Sequence, residues 1–266
     1  MRGSQPVAGS GVRPTRAGAE ASVRPAQRSV EGAAERQRQR PSQWQEAARE
    51  QHEEREKMVR EQLEARGIED ARVLDALRTV PRHRFVPPRV RHLAYSDGPL
   101  PIPGEQTISQ PYIVAFMTEM AHVALLDRCL EVGTGSGYQT AVLAELCRDV
   151  YSVEYLPEVA SFGRHNLERL GYLRRGVELR VGDGYAGWPE HAPFDVILVA
   201  AAPTQVPRPL LRQLNEGGRL LIPVGVESAQ NLELWTRRRA GDDDDAFARE
   251  LLFGVRFVPF LGPHGD

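Results

Sequence analysis

Short runs of apolar, β-branched and aromatic residues recur through the second half of this chain, and longer stretches of helical period separate them. Cys129-Leu130-Glu131-Val132, Val150-Tyr151-Ser152-Val153-Glu154, Val177-Glu178-Leu179-Arg180-Val181 and Phe194-Asp195-Val196-Ile197-Leu198-Val199 predict four strands. Thr140–Cys147 and Pro157–Leu170 predict helices between them, the second opened by proline and closed by Gly171. A short helix over Pro207–Leu214, a turn at Gly217-Gly218 and a fifth strand over Arg219–Val224 follow. Asn231–Arg237 and Leu251–Val258 read as two last strands, joined through the acidic tip Gly241–Asp245. Strand and helix alternate from Arg128 to Val224, which predicts an α/β fold: a doubly wound, mostly parallel seven-stranded sheet with helices on both faces.

Upstream the apolar pattern is helical. Met58, Val59 and Leu63 share one side of a stretch from Trp44 to Arg66 that Gly67 ends. Asp70 is placed to cap a second helix carrying Val73, Leu74 and Leu77, which Pro81 stops. Pro81–Pro88 reads as extended and proline-locked, and Tyr95–Gln110 has turn chemistry in a loop long enough to be functional. A helix from Pro111 to about Leu125 follows, with Ile113, Phe116, Met117, Met120, Val123 and Ala124 on its apolar face. Ser109 is expected as its N-cap, and position alone leaves capping and substrate contact both open. Residues 1–43 are rich in Arg, Gly, Ala, Ser, Gln and Pro, with almost no large apolar side chains, and are expected to be a disordered, solvated tail. The domain proper is then 44–266: helices and a loop over 44–126, the sheet over 127–266.

Composition removes several classes of function. A net charge of −2 gives no electrostatic case for nucleic acid. Lys57 is the only lysine and sits in a charged helical stretch, away from any glycine loop or apolar pocket, which excludes a phosphate-loop lysine and leaves a Schiff-base lysine implausible. Cys129 and Cys147 have neither metal nor redox spacing and are expected in the core, and no histidine has a partner at metal-ligand spacing. No apolar run is long enough to span a bilayer, and no secretory leader pattern opens the chain, so a cytoplasmic location without a membrane partner is expected. Nothing demands an oligomer.

The chemistry concentrates at strand tips. Leu130-Glu131-Val132-Gly133-Thr134-Gly135-Ser136-Gly137-Tyr138 reads as strand, glycine-rich turn and helix, a backbone able to approach a nucleotide-like ligand closely. Glu154 ends the next strand about 20 residues on, where a ribose diol is held in doubly wound sheets. Asp183, between Gly182 and Gly184 at the third tip, is placed to reach a flat ring, although Asp-Gly is also an ordinary turn pair. A dinucleotide fingerprint requires glycine where Tyr138 stands; the pattern is instead E-x-G-x-G-x-G led by Glu131.

That arrangement resembles the class I S-adenosylmethionine-dependent methyltransferases. With Val80–Pro87, Thr107-Ile108-Ser109-Gln110-Pro111-Tyr112, Gly182-Asp183-Gly184 and Gly217-Gly218-Arg219-Leu220 in order, the chain from Met58 to Leu261 resembles the protein-L-isoaspartate O-methyltransferase family. The resemblance implies S-adenosylmethionine as methyl donor, no metal, and isoaspartyl-containing peptides and proteins as acceptors. It further implies a donor site of Glu131, Gly133, Thr134, Gly135, Gly137, Glu154, Tyr155, Gly182, Asp183 and Gly184. Ser109 becomes the residue that orients the acceptor carboxylate, flanked by Thr107, Ile108, Gln110 and Pro111. Two features depart from the family: the arginine-rich segment before Trp44, and Glu105, where bacterial members more often carry a small or neutral residue. The loop Ala200-Ala201-Ala202-Pro203 lacks the Asn/Asp-Pro-Pro-aromatic pattern of enzymes that methylate a flipped base. The alternatives are a methyltransferase for another class of substrate and a non-catalytic S-adenosylmethionine-binding adaptor.

Overall fold

Gln51 takes a left-handed backbone (φ 46°) and breaks the first helical stretch in two. α1 (Ser42–Arg49) precedes it and α2 (His52–Met58) follows, widening to a π turn over Val59–Leu63 and tightening to a 3-10 turn over Glu64–Arg66 before Gly67. The periodicity had implied a continuous helix. The break is held by Arg55, 2% exposed, whose guanidinium donates to the carbonyls of Ala48, Glu50 and Arg78. The computed structural model describes residues 42–263, within the compact unit Arg40–Asp266. The expected disordered tail lies outside the described residues except for Ser42 and Gln43, which belong to α1.

Asp70 caps α3 (Ala71–Thr79), accepting the Arg72 N–H at 2.8 Å. The segment after it is not extended as expected: Arg82–Arg84 and Pro88–Leu93 are 3-10 turns. Proline fixes φ near a value that suits 3-10 and extended backbone alike, and here the Arg82 side chain turns inward to the Ala94 carbonyl. β1 (Leu100–Pro101) and β2 (Thr107–Ile108) pair antiparallel as a hairpin. Glu105 lies between them with φ 57°, a left-handed position that favours glycine or asparagine.

α4 (Pro111–Met120) is shorter than its apolar pattern implied, because His122 turns left-handed (φ 47°) and sends Val123–Leu125 into the connection to the sheet. Its N-cap is Gln110, not Ser109. Gln110 precedes a proline and is held at ψ 140°, outside the helical region.

The central sheet is seven-stranded in the order β5-β4-β3-β6-β7-β8-β9. β3 (Arg128–Val132), β4 (Asp149–Glu154), β5 (Val177–Val181), β6 (Phe194–Val199) and β7 (Leu214–Val226) are mutually parallel, and β8 (Ala229–Arg237) and β9 (Phe247–Val255) complete it antiparallel. α5 (Tyr138–Leu146) follows β3, α6 (Pro157–Arg169) follows β4 and α7 (Arg208–Arg212) follows β6. Alternation along β3 and β6 divides two cores: Cys129, Val196 and Leu198 pack on the side of α2–α6, while Leu130, Ile197 and Val199 pack on the side of Trp188 and α7. The expected turn at Gly217-Gly218 lies inside β7, where pairing with β6 shifts register. Among the described residues no helix is long and apolar enough to cross a membrane.

Both cysteines are buried as expected, but the fold brings them together: the Sγ atoms are 3.1 Å apart. The hydrogen bond from Cys147, and then burial, push the Cys129 thiol well above its ordinary pKa. A thiol held protonated and buried is a poor nucleophile. Neither cysteine should therefore react with a thiol-specific disulfide reagent at pH 8 while the protein is folded, and both should react in denaturant; rapid labelling of native protein would contradict this packing.

Candidate active site

The order of strands reverses between β3 and β6, and the two strands end side by side. Beyond their tips the Ala200 N–H still bonds the Val132 carbonyl at 2.8 Å, and a Cβ on Gly133 would stand 3.3 Å from the Ala200 Cβ. Such a reversal opens a crevice at the carboxyl ends of a parallel sheet. The glycine turn enters it through three left-handed residues, Gly133 (φ 96°), Gly135 (φ 54°) and Gly137 (φ 83°), and Gly137 is the N-cap of α5. The Glu154 carboxylate, 8% exposed, accepts the N–H groups of Gly135 (2.9 Å) and Leu156 (3.1 Å), fixing the acid against the turn.

Gly133, Gly135, Glu154, Tyr155 and Gly184 all line this crevice, and the other expected donor-site residues do not. Thr134 turns inward, its Oγ1 2.6 Å from the Ser152 Oγ. Gly137 faces α6. Asp183 turns its carboxylate to the Tyr185 N–H (2.9 Å), and Gly262 packs against it. Gly182 borders Arg180 and Val153. Glu131 lies beneath the turn, 1% exposed, and accepts from Thr140 Oγ1 and from Ser152 Oγ (2.7 Å).

Two features that shape the crevice carry little or no sequence signal. Val258–Leu261, of which the apolar pattern assigns only Val258 to a strand, crosses the strand tips and forms a wall with Ala200 and Ala201. It is anchored by the bonds Ala202 N–H to Val258 O (2.9 Å) and Phe260 N–H to Ala202 O (3.1 Å). Its only sequence signal is a proline and an aromatic after an apolar run. Gly163, inside α6, carried no signal at all: a Cβ there would meet the Gly135 carbonyl at 2.7 Å. The crevice thus offers a carboxylate and backbone polar groups on one side and an apolar wall on the other, which suits a ligand that joins a ribose to a flat ring. Among the described residues no cluster of His, Cys, Asp or Glu is arranged to hold a metal.

A wider cleft adjoins it. Thr107, Ser109, Gln110 and Tyr112 line one side and Phe253–Pro259 the other. Ile108 and Pro111 are buried beneath, packing the loop rather than facing the cleft. The Arg66 guanidinium sits 3.8 Å above the Tyr112 ring and pairs with Asp97 at 3.3 Å, and Asp97 also accepts from Gln110 Nε2 at 2.7 Å. Thr107, Ala200, Val258 and Pro259 line both spaces, so crevice and cleft share a wall.

Burial pushes the Glu131 carboxyl up to about 8, against the two hydroxyl donors, which favour its charged form. The folded protein therefore binds this proton more tightly than the unfolded chain, whose carboxyl titrates near 4.5. Stability should fall as pH rises from about 5 to about 8, by on the order of a few kcal/mol. Glu131→Gln should flatten that slope in urea unfolding at pH 5, 6.5 and 8; parallel profiles for the two proteins would contradict it. Gly163→Ala should push α6 off the glycine turn and weaken S-adenosylhomocysteine binding about tenfold or more, measured by calorimetry. Unchanged affinity would show that the close approach is dispensable.

The family model for Protein-L-isoaspartate(D-aspartate) O-methyltransferase matches residues 53–264. Protein-L-isoaspartate O-methyltransferase 2 of Pelobacter propionicus is 56% identical over 204 residues, covering 76% of this chain and 88% of its own. The enzyme of that name from Gloeobacter violaceus is 53% identical over 198 residues, covering 74% and 93%. A solved Plasmodium falciparum protein-L-isoaspartate O-methyltransferase in complex with S-adenosyl-L-homocysteine superposes with a TM-score of 0.68 at 25% identity, over 78% of this chain and 98% of that one. The ordered motifs, the reversed sheet with its glycine turn and the match over nearly the whole described domain agree: this chain belongs to the protein-L-isoaspartate(D-aspartate) O-methyltransferase family.

Proposed function

We propose that the chain transfers a methyl group from S-adenosylmethionine to the α-carboxylate of isoaspartyl residues in damaged proteins, giving an ester that collapses to a succinimide and so begins repair. The observation that carries this reading is the wall common to the donor crevice and the acceptor cleft, because a methyl group must pass directly between the two ligands. S-adenosylmethionine supplies an electrophilic methyl group on a positively charged sulfur. One acceptor carboxylate oxygen forms the new bond to that carbon, the carbon–sulfur bond breaks, and its electron pair stays on sulfur. The acceptor is already anionic at neutral pH, so the protein needs no strong base. Its tasks are alignment and exclusion of water.

Glu154 and the turn from Gly133 to Gly137 would hold the donor, with Tyr155 and Gly184 beside them and Asp183 next to Gly184 at the neighbouring strand tip. Ser109 would orient the acceptor. Ser109 lies outside the N-cap position, which Gln110 occupies without a side-chain cap bond, and it lines the cleft, which supports that role. The positive end of α4 beside it favours an anion. The proposal extends to a cytoplasmic monomer with isoaspartyl proteins and peptides as partners and no nucleic acid; the net charge of −2 supports the last of these.

Ser109→Ala should lower kcat on an isoaspartyl peptide on the order of ten- to a hundredfold. S-adenosylhomocysteine affinity, measured by calorimetry, should stay within about twofold. Unchanged turnover, or an equal loss of donor affinity, would remove Ser109 from the acceptor role.

A further inference from the structure

Arg82 heads the largest wholly buried side chains of the described residues, at 0% exposure, and none of the chemistry above uses it. Its Nε donates to the Ala94 carbonyl at 2.8 Å and its Nη2 to the Ser109 carbonyl at 2.7 Å. Its guanidinium carbon stands 4.8 Å from the centroid of the Tyr138 ring, and Nη1 has no hydrogen-bond partner. No carboxylate among the described residues forms an ion pair with it, and burial lowers its pKa only to about 10, so it stays a cation at neutral pH. A cation buried without a counter-ion opposes folding, and an apolar residue of similar size would fill the space with less penalty. Packing alone does not account for an arginine here.

The partners point elsewhere. Ser109 belongs to the acceptor loop. Tyr138 is the first residue of α5, directly after Gly137, the last glycine of the donor turn. Tyr138 is itself 1% exposed, pinned edge-on against Phe85 at 5.6 Å between ring centroids, so the ring cannot shift without moving the start of α5. One planar guanidinium therefore contacts the acceptor loop by a hydrogen bond and, by a cation–π face, the residue that follows the donor turn.

We propose that Arg82 is a positioning residue that couples the two ligand sites: it sets the Ser109 loop through the serine carbonyl and registers it, through Tyr138, against the turn that holds the methyl donor. Through the wall at Thr107, a donor seated on the braced turn settles the acceptor loop that Arg82 holds in register, and each ligand tightens the other's binding by the same factor. This rests on the reading of Ser109 as acceptor-facing, but it acts through the backbone carbonyl rather than the hydroxyl, so the two claims fail separately.

Lysine keeps the charge and offers a single point donor in place of the fork. Arg82→Lys should raise KM for an isoaspartyl peptide on the order of tenfold, the effect of one hydrogen bond to a charged group, and leave donor affinity without peptide within about twofold. The deciding readout is S-adenosylhomocysteine affinity with and without saturating isoaspartyl peptide. In the wild type the peptide should tighten it, in Arg82→Lys it should not, and Ser109→Ala, which retains the carbonyl, should couple like the wild type. Coupling in Arg82→Lys equal to that of the wild type, or none in the wild type, overturns the proposal whatever happens to KM. A purely structural arginine would instead lower the melting temperature and leave the coupling intact. Should Arg82→Lys fail to fold, hydrogen exchange of the wild type decides: S-adenosylhomocysteine should slow the amides of residues 107–112, and unchanged exchange there overturns the proposal.

Discussion

Gly133 and Ala200 follow directly on two neighbouring parallel strands, β3 and β6, at the one place in the sheet where the order of strands reverses. On one side the chain winds away through β4 and β5, on the other through β7 to β9, so the helices that follow β3 and β6 diverge and leave an opening at the strand tips. Everything at the site is hung on that opening. The glycine turn fills its floor, Glu154 comes from the next strand tip, and the segment after β9 returns across it to supply the apolar wall. The loop before α4 lies beside the same tips and shares a wall with the crevice, the arrangement that the proposed transfer between two ligands requires.

The turn is rigid because of what lies underneath. Glu131, Thr140, Ser152 and Thr134 form a buried hydrogen-bonded chain linking β3, α5, β4 and the turn itself. Inside a low-dielectric core such a chain holds its members to one geometry, since any displacement strands a polar group. From the outer side Gly163 lets α6 close on the Gly135 carbonyl, and Asn166 of the same helix donates to the Ser136 carbonyl at 3.0 Å. The backbone of the turn is therefore braced from two directions, and Arg82 adds a third contact toward the Ser109 loop.

Strands were legible where burial on both faces leaves a dense apolar run. β6 has the bounds its run implies, as does the edge strand β5, whose apolar positions alternate with charged ones instead, and the doubly wound order follows from the alternation of periods. The residues legible at the crevice are those whose type is forced by backbone geometry, such as Gly133 and Gly135, or by a lone charge at a strand tip, as with Glu154. What failed to show was set by single backbone positions or by contacts remote in sequence. Helical period continues through Val123–Leu125, but His122 reverses the backbone; Ser109 has the right chemistry for a cap, but Pro111 forces the cap onto Gln110. Gly163 looks like any helical glycine until α6 is laid against the turn, and the wall from Val258 to Leu261 exists only once the sheet is assembled.

Membership of the family, the donor crevice and the adjoining acceptor cleft converge on repair of isoaspartyl damage. The discriminating feature of that chemistry is the position of the carboxylate: an isoaspartyl residue offers an α-carboxylate one methylene nearer the backbone than the side-chain carboxylate of ordinary aspartate. Methyl transfer from labelled S-adenosylmethionine to a matched pair of peptides, identical except for one isoaspartyl or aspartyl residue, tests this most directly. Label is expected on the isoaspartyl peptide alone; equal labelling of the two peptides, or labelling of neither, contradicts the assignment.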